Sequence, residues 1–135
     1  MASYFESKNL KSFAHWMQEQ AKEEIEHAMK LYSYLVSRGG RVLLSEIETP
    51  PSEWESPLRA FEDAYQHERK VTRMIDELIR VAKEEDDNAT EVFLQWFVNE
   101  QVEEEASTNE IVEKLRLIGD AGGGLLMLDR QLGER

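Results

Sequence analysis

The feature that most constrains this chain is a set of three helical stretches, each with an apolar seam along one face. Near the middle of each seam, the apolar residues give way to residue types that bind metals. Residues on one helical face recur at steps of three and four, and all three seams keep that spacing. A buried, unpaired carboxylate is costly, so acidic residues within such seams indicate a bound cation. The seams are Phe13, Met17, Gln20, Glu24, His27, Leu31 and Leu35; Leu58, Phe61, Tyr65, Glu68, Thr72, Ile75, Ile79 and Ala82; and Phe93, Phe97, Gln101, Glu104, Thr108, Ile111, Leu115 and Ile118.

Composition limits the kind of protein that can carry these seams. The chain has 135 residues, 41% hydrophobic and 33% charged, which predicts one helical domain over 1–135. Its formal net charge of −12 argues against nucleic acid and anionic membranes, because both need a basic surface, and favours cations as partners. The absence of Cys excludes disulfides and cysteine-bound metal clusters. Any metal must therefore be bound by carboxylate, imidazole and amide groups.

Nothing in the sequence indicates a membrane or a secretory route. No apolar run approaches the ~18 residues of a transmembrane helix. The N-terminus has neither a basic start nor the apolar core of a signal peptide. We therefore expect a cytoplasmic protein.

The order of helices follows from the seams and from the breaks between them. Gly39 and Gly40 end the first long helix, a polar turn lies at 84–88, and glycines at 119 and 122–124 predict a hinge. Helices are expected at 1–8, 10–38, 55–82, 89–118 and 125–132.

The long segment between the first two long helices indicates the topology. A helix of about 29 residues spans ~44 Å, and 16 extended residues reach roughly 53 Å. The segment can therefore cross the length of a bundle and place those helices parallel, whereas the short turn at 84–88 makes the next pair antiparallel. Its apolar residues Leu43, Leu44 and Ile47 should be covered, and Trp54 should anchor it.

Three motifs in this order resemble the bacterial and archaeal non-haem ferritins. A lone Glu-x-x-His on a helix is a weak signal, but the ordered combination is specific, and the resemblance covers essentially the whole chain. The motifs are Glu23-Glu24-Ile25-Glu26-His27, His67-Glu68 and Trp96-Phe97-Val98-Asn99-Glu100-Gln101-Val102-Glu103-Glu104-Glu105.

The resemblance implies a fold and a set of iron ligands. The fold is an all-α, ferritin-like four-helix bundle with a long crossover and a short C-terminal fifth helix. Its first helix is truncated here, because the matching N-terminal half would precede Met1. Glu24 would bridge two iron ions, His27 would complete the first site, Glu68 and Glu104 would hold the second, and Gln101 would be a hydrogen-bonding or weak ligand.

The resemblance also implies a third iron site and an activity. Glu23, Glu100 and Glu103 match that third site, with plain surface acids as the alternative, and Glu105 is expected to be solvated. The di-iron centre would oxidise Fe(II) with dioxygen or peroxide. The ferric product would be stored as a mineral in a hollow homo-oligomer, a shell of twenty-four subunits in the family.

The chain departs from the family at its start, which leaves two hypotheses open. In the family, an inward Glu of the first helix is a ligand of the first iron, and its position would lie before Met1. The chain is therefore expected to be either an active ferroxidase or a non-catalytic, iron-binding or structural ferritin subunit. A rubrerythrin-like peroxidase fits poorly, because that family carries a second Glu-x-x-His where this chain has Gln101-x-x-Glu104. No haem is expected.

Overall fold

A computed structural model describes residues 1–119 and 122–133 of the chain. The described part is all-α, without a strand, and none of its helices combines the length and apolar content that crossing a bilayer requires. It separates into two compact units, the first containing α1, α2 and α5 and the second containing α3 and α4. The helices are α1 (Ala2–Ser7), α2 (Lys11–Ser37), α3 (Pro57–Glu84), α4 (Asn88–Ile118) and α5 (Gly122–Leu132).

A tight elbow joins α1 to α2 in the first unit. Asn9 adopts a left-handed conformation with φ of 59°, which Asn tolerates better than most residues. The backbone N–H of Leu10 then donates to the carbonyl of Phe5 at 3.0 Å. Phe5 and Phe13 are fully buried and stack with ring centroids 5.3 Å apart. This aromatic pair thus joins the two helices at the elbow.

The apolar segment between α2 and α3 is anchored at its end but is otherwise exposed. Trp54 meets Tyr4 edge to face at 5.3 Å, which confirms the expected anchor. Burial, and then the nearby Glu53 carboxylate, raise the pKa of the Tyr4 phenol. Leu44 and Ile47 are 93% and 94% exposed, so the expected cover is not supplied within the described chain.

The C-terminal helix α5 caps α2. The N-cap residue of α2 is Leu10, which contributes no side-chain cap. Instead, the Asp129 carboxylate accepts hydrogen bonds from the backbone N–H groups of Ser12 at 3.0 Å and Phe13 at 3.1 Å. A carboxylate there satisfies free N–H groups and interacts favourably with the positive end of the helix dipole. Leu128 and Leu132, both buried, complete the attachment of α5.

The glycine-rich start of α5 differs from the predicted hinge. The structure begins the helix at Gly122, so the glycines at 122–124 are helical rather than a break before residue 125. These glycines form the first turn of α5, and the buried leucines and the Asp129 contact attach the rest of the helix. Gly119 has a φ of 56° and ends α4 as predicted, while residues 120–121 of the predicted hinge lie outside the described residues.

The second unit is an antiparallel pair, α3 and α4, joined by residues 85–87. Ser56 caps α3 by accepting from the Arg59 N–H, with Pro57 at the first helical position, and Asp87 caps α4 by accepting from the Thr90 N–H. These caps place α3 two residues later than the predicted 55–82. The core near the turn is formed by Ile75, Leu94 and Phe97.

The predicted seams are buried along most of the second unit and along only part of α2. In α3 and α4, the polar seam residues Glu68, Gln101, Glu104 and Thr108 are buried together with apolar neighbours. In α2, the seam is buried from Phe13 to Gln20, whereas Leu31 and Leu35 are exposed. Burial within the described chain therefore confirms the seams of α3 and α4 and the first half of the α2 seam.

Replacing the capping carboxylate should lower stability. We expect Asp129→Ala to reduce the free energy of unfolding by about 1 kcal/mol, as for other lost helix caps, because the N–H groups of Ser12 and Phe13 lose their acceptor. Asp129→Asn keeps an acceptor oxygen and should lose less. Urea unfolding followed by circular dichroism measures both variants. Equal stability of Asp129→Ala and the parent would show that the cap contributes nothing.

Candidate metal centre

The first unit brings together two of the predicted iron ligands, Glu24 and His27. They lie one turn apart on α2, and His27 Nδ1 is 3.5 Å from Glu24 Oε2. The other carboxylate oxygen of Glu24 accepts a hydrogen bond from Gln20 Nε2 at 3.2 Å. The His27 side chain is only 13% exposed, whereas that of Glu24 is 42% exposed. A carboxylate and an imidazole therefore share one edge of α2, and a cation can be bound by both.

The second unit brings together Glu68 of α3 and Gln101 of α4. Gln101 Nε2 donates towards the Glu68 backbone carbonyl at 3.2 Å and lies 3.4 Å from the Glu68 carboxylate Oε2. Gln101 is only 4% exposed and Glu68 only 6%. Gln101 is therefore hydrogen-bonded to Glu68 in this buried layer.

Thr72 and Glu105 extend this group, and the sequence interpretation missed their contact. The Thr72 hydroxyl donates to Glu105 Oε1 at 2.5 Å and accepts from Gln101 Nε2 at 3.3 Å. Glu105 is half-buried rather than solvated as expected. Thr72 was part of the predicted seam, and a hydroxyl one turn after Glu68 was the available signal. Its partner on α4 could be identified only once the two helices were aligned.

Glu104 is a buried carboxylate on α4, one turn from Gln101. It is 5% exposed, and its neighbour Thr108 on the same face is 1% exposed. Its burial agrees with the predicted seam and contrasts with the exposed Glu103 beside it. The second unit therefore holds two buried acidic side chains, Glu68 and Glu104.

The residues matched to a third iron site are closer to the surface. Glu23 on α2 and Glu100 on α4 are half-buried, and Glu103 is exposed. Glu100 and Glu103 are three residues apart and so share a face of α4. The exposure of these three residues is compatible with both alternatives, a weak cation site or surface acids.

The other histidines lie outside these groups. His67 is exposed, although it adjoins Glu68 in the sequence. His15 has 44% of its side chain exposed, and its Nδ1 is 3.7 Å from Glu19. Neither histidine belongs to the buried polar groups described above.

Buried charge is the electrostatic property that distinguishes Glu68 and Glu104. An ionised carboxylate loses much of its hydration when buried, and the loss must be offset by a counter-charge or by hydrogen bonds. Gln101 donates to Glu68, but an amide is neutral and cannot cancel its charge. Carboxylate oxygens suit Fe(II) and Fe(III) and also accept Mn(II) or Zn(II). These side chains fit a divalent cation as counter-charge.

Comparison with known proteins identifies the family. Residues 1–118 match the family described as the ferritin-like domain. This chain belongs to the ferritin family. A bacterial non-heme ferritin of Bacteroides fragilis is 44% identical over 135 residues, which cover the whole of this chain and 84% of that protein. A probable bacterial non-heme ferritin-like protein of Haemophilus influenzae is 36% identical over 133 residues, 98% of this chain and 81% of that one.

Solved ferritin structures confirm the fold class. An open-pore ferritin from the hyperthermophilic archaeon Archaeoglobus fulgidus is 57% identical and matches with a TM-score of 0.98. The match covers 100% of this chain and 83% of that chain. An engineered closed form of the A. fulgidus ferritin matches with a TM-score of 0.97 at the same identity. The predicted class, an all-α ferritin-like four-helix bundle, is thereby confirmed.

Replacing Glu68 with a neutral residue should show how burial of its charge affects stability and, separately, whether Glu68 binds metal. Without metal, we expect Glu68→Gln to raise the free energy of unfolding by about 1 kcal/mol, because a neutral amide is easier to bury than a carboxylate. A hundredfold excess of Zn(II) over its Kd should stabilise the parent by about 2.7 kcal/mol and this variant much less. Urea unfolding with and without Zn(II) measures both effects.

The control for that experiment is Glu46→Gln, which removes the same charge from an exposed position. It should respond to Zn(II) as the parent does. A Glu68→Gln variant that Zn(II) stabilises as strongly as the parent would exclude Glu68 as a ligand.

Proposed function

We propose that this ferritin stores iron and that it oxidises Fe(II) to Fe(III) before storage. The observation that carries the proposal is the burial of two carboxylates, Glu68 and Glu104, in a chain of the ferritin family. Burial of a carboxylate carries a desolvation cost, and a bound cation offsets that cost when the metal is present. The iron is the substrate and the cargo of this protein.

The roles of the individual residues follow from the resemblance to non-haem ferritins. Glu24 bridges two iron ions, and His27 completes the first iron site through a ring nitrogen. Glu68 and Glu104 hold the second ion. Two local contacts support these assignments: His27 Nδ1 is 3.5 Å from Glu24 Oε2, and Gln101 Nε2 donates to the Glu68 carboxylate and so orients it.

The proposed reaction balances with two Fe(II) ions and one dioxygen. Each Fe(II) gives up one electron, and dioxygen takes both electrons and two protons to become hydrogen peroxide. A pair of iron ions thereby avoids the one-electron product that a single Fe(II) would release. Carboxylate oxygens are hard ligands and favour the Fe(III) product. Peroxide formed in this way can serve as the oxidant for a further iron pair.

Glu23, Glu100 and Glu103 are proposed to take iron beyond the di-iron centre. Their greater exposure suits a transient site, because a well-hydrated carboxylate binds a cation weakly and releases it readily. The acidic chain, with a formal net charge of −12, favours cations over anions throughout. The ferric product is proposed to collect as a mineral.

Storage of a mineral requires an enclosing assembly, which we propose to be a homo-oligomeric shell of twenty-four copies, as the family resemblance implies. Exposed apolar side chains support an assembly of this kind, because a monomer seldom leaves many of them in water. Leu43, Leu44 and Ile47 lie between α2 and α3, and Leu126 and Met127 lie on α5. We further propose that residues 1–135 act as one ferritin-like domain and that the protein is cytoplasmic.

Loss of a proposed ligand should abolish fast iron oxidation. We expect Glu24→Ala to slow Fe(II) oxidation by at least ~100-fold, beyond the ~10–100-fold typical of residues that only support ligands. Stopped-flow absorbance with two Fe(II) per chain measures the rate, on samples whose particle mass is fixed by light scattering. Glu26→Ala removes an exposed acid two residues away and should oxidise iron at the parent rate.

A second matched pair tests the imidazole. His27→Ala should slow oxidation as Glu24→Ala does, whereas His67→Ala alters an exposed histidine and should not. Parent-like rates in both ligand variants would contradict the assignment of Glu24 and His27. Slow oxidation by the parent itself, with iron still bound, would instead favour the non-catalytic ferritin subunit.

A further inference from the structure

We propose that Thr72 and Glu105 are positioning residues that orient the metal-binding carboxylate of Glu68 through the amide of Gln101. The inference rests on the proposed function, because it gives Glu68 a cation to bind. All four side chains belong to α3 and α4 of the second unit. Glu68 and Thr72 follow one another on α3, and Gln101 and Glu105 do so on α4.

The direction of the hydrogen bonds follows from the number of hydrogens. The Thr72 hydroxyl has one hydrogen and lies 2.5 Å from Glu105 Oε1 and 3.2 Å from the Glu68 backbone carbonyl. The shorter bond has a charged acceptor, and charge-assisted O–H···O⁻ bonds of about 2.5–2.7 Å are the stronger kind. The hydrogen is therefore donated to Glu105. The Thr72 oxygen then faces Gln101 as an acceptor.

The acceptors around Gln101 fix which end of its amide points at Glu68. Gln101 Nε2 lies 3.2 Å from the Glu68 carbonyl, 3.3 Å from the Thr72 oxygen and 3.4 Å from the Glu68 carboxylate. All three groups accept hydrogen bonds, so the nitrogen must lie on this side and the amide oxygen must point elsewhere. A reversed amide would place its oxygen against three other oxygens. The Thr72 oxygen, which is kept as an acceptor by its bond to Glu105, is thus one of the three groups that fix the orientation of the amide.

The consequence for Glu68 is a fixed donor on one of its two oxygens. The terminal torsions of Glu and Gln are broad and weakly constrained, so neither side chain holds a single orientation unaided. Outer partners of metal ligands commonly act by restricting such torsions. With Nε2 held by Thr72, Glu68 Oε2 has a donor on one side. This donor restricts the orientation in which the Glu68 carboxylate meets a cation.

A cavity runs beside this chain of hydrogen bonds. Thr72, Gln101 and Glu105 line a cavity of about 270 Å³ between α3 and α4, together with Asp76 and apolar side chains. Glu105 is half-buried, whereas Gln101 and Glu68 are buried. The anchoring charge is therefore in contact with solvent, and only the neutral amide and hydroxyl connect it to Glu68.

The test measures binding of Zn(II), a redox-inert probe, by isothermal titration calorimetry. We expect Thr72→Val to weaken one Zn(II) site per chain by about 10–100-fold, the range for lost outer partners. Thr72→Ser restores the hydroxyl and should bind Zn(II) within about threefold of the parent. The exposed Thr49→Val is the matched control and should have no effect. Zn(II) binding by Thr72→Val within about twofold of the parent overturns the proposal.

A double-mutant cycle separates a hydrogen-bonded chain from a general charge effect. Glu105→Leu should weaken Zn(II) binding in the same direction, and adding Thr72→Val to it should cause little further loss, because both act through one amide. Additive losses would overturn the coupling of Thr72 to Glu105. Circular dichroism verifies that each variant folds. If Thr72→Val does not fold, Glu105→Gln is compared with the parent instead, and it should weaken the same Zn(II) site.

The same measurements distinguish this inference from the proposed function. If Glu68→Ala leaves Zn(II) binding unchanged, the assignment of Glu68 as a ligand fails and the positioning role fails with it. If Glu68→Ala weakens binding but Thr72→Val and Glu105→Leu do not, only the positioning role fails. Iron oxidation is not needed for either result, so an inactive parent does not affect the test.

Discussion

The burial of two carboxylates, Glu68 on α3 and Glu104 on α4, is the constraint on which the second unit depends. Two helices of this length pack mainly through apolar side chains, and the apolar part near the turn, with Ile75, Leu94 and Phe97, behaves in that way. Further along, the same seam buries Glu68 and Glu104. Apolar residues at these positions would make the pair of helices more stable. The polar layer therefore lowers the stability of the second unit.

Both units hold a carboxylate by the same chemical means. In the first unit, Gln20 donates to Glu24, and in the second, Gln101 donates to Glu68. An amide can orient a carboxylate without neutralising it, so the charge remains available for a cation. A Lys or Arg in either place would fill the same position but would compete with the metal.

The sequence was sufficient for the parts of this structure that depend on neighbouring residues. Helical spacing located α2, α3 and α4, and the glycines ended α2 and α4, because caps and periodicity act within a few residues. The seam also identified Glu68, Gln101 and Glu104 as buried. The local pattern gave a wrong prediction at the start of α5, where the glycines at 122–124 predicted a hinge. They are helical because residues distant in sequence hold the helix in place.

Interactions between helices could not be predicted in the same way. The Thr72 to Glu105 hydrogen bond joins residues 33 apart, and its existence depends on the axial alignment of α3 and α4 within about one turn. Glu105 belongs to a run of acidic residues, and the sequence therefore predicted that its side chain would be solvated, as is usual in such a run. The Asp129 cap depends similarly on where α5 lies against α2.

The Asp129 cap also imposes an order on biosynthesis. The second unit is continuous in sequence, so α3 and α4 can pair as soon as both have left the ribosome. The first unit is discontinuous, because Ser12 and Asp129 are separated by 117 residues. At ~5–20 residues per second, the start of α2 waits roughly 6–23 s for its capping carboxylate. Each new copy therefore passes through a stage in which α2 is made but not yet capped, and α5 completes the first unit once it has been synthesised.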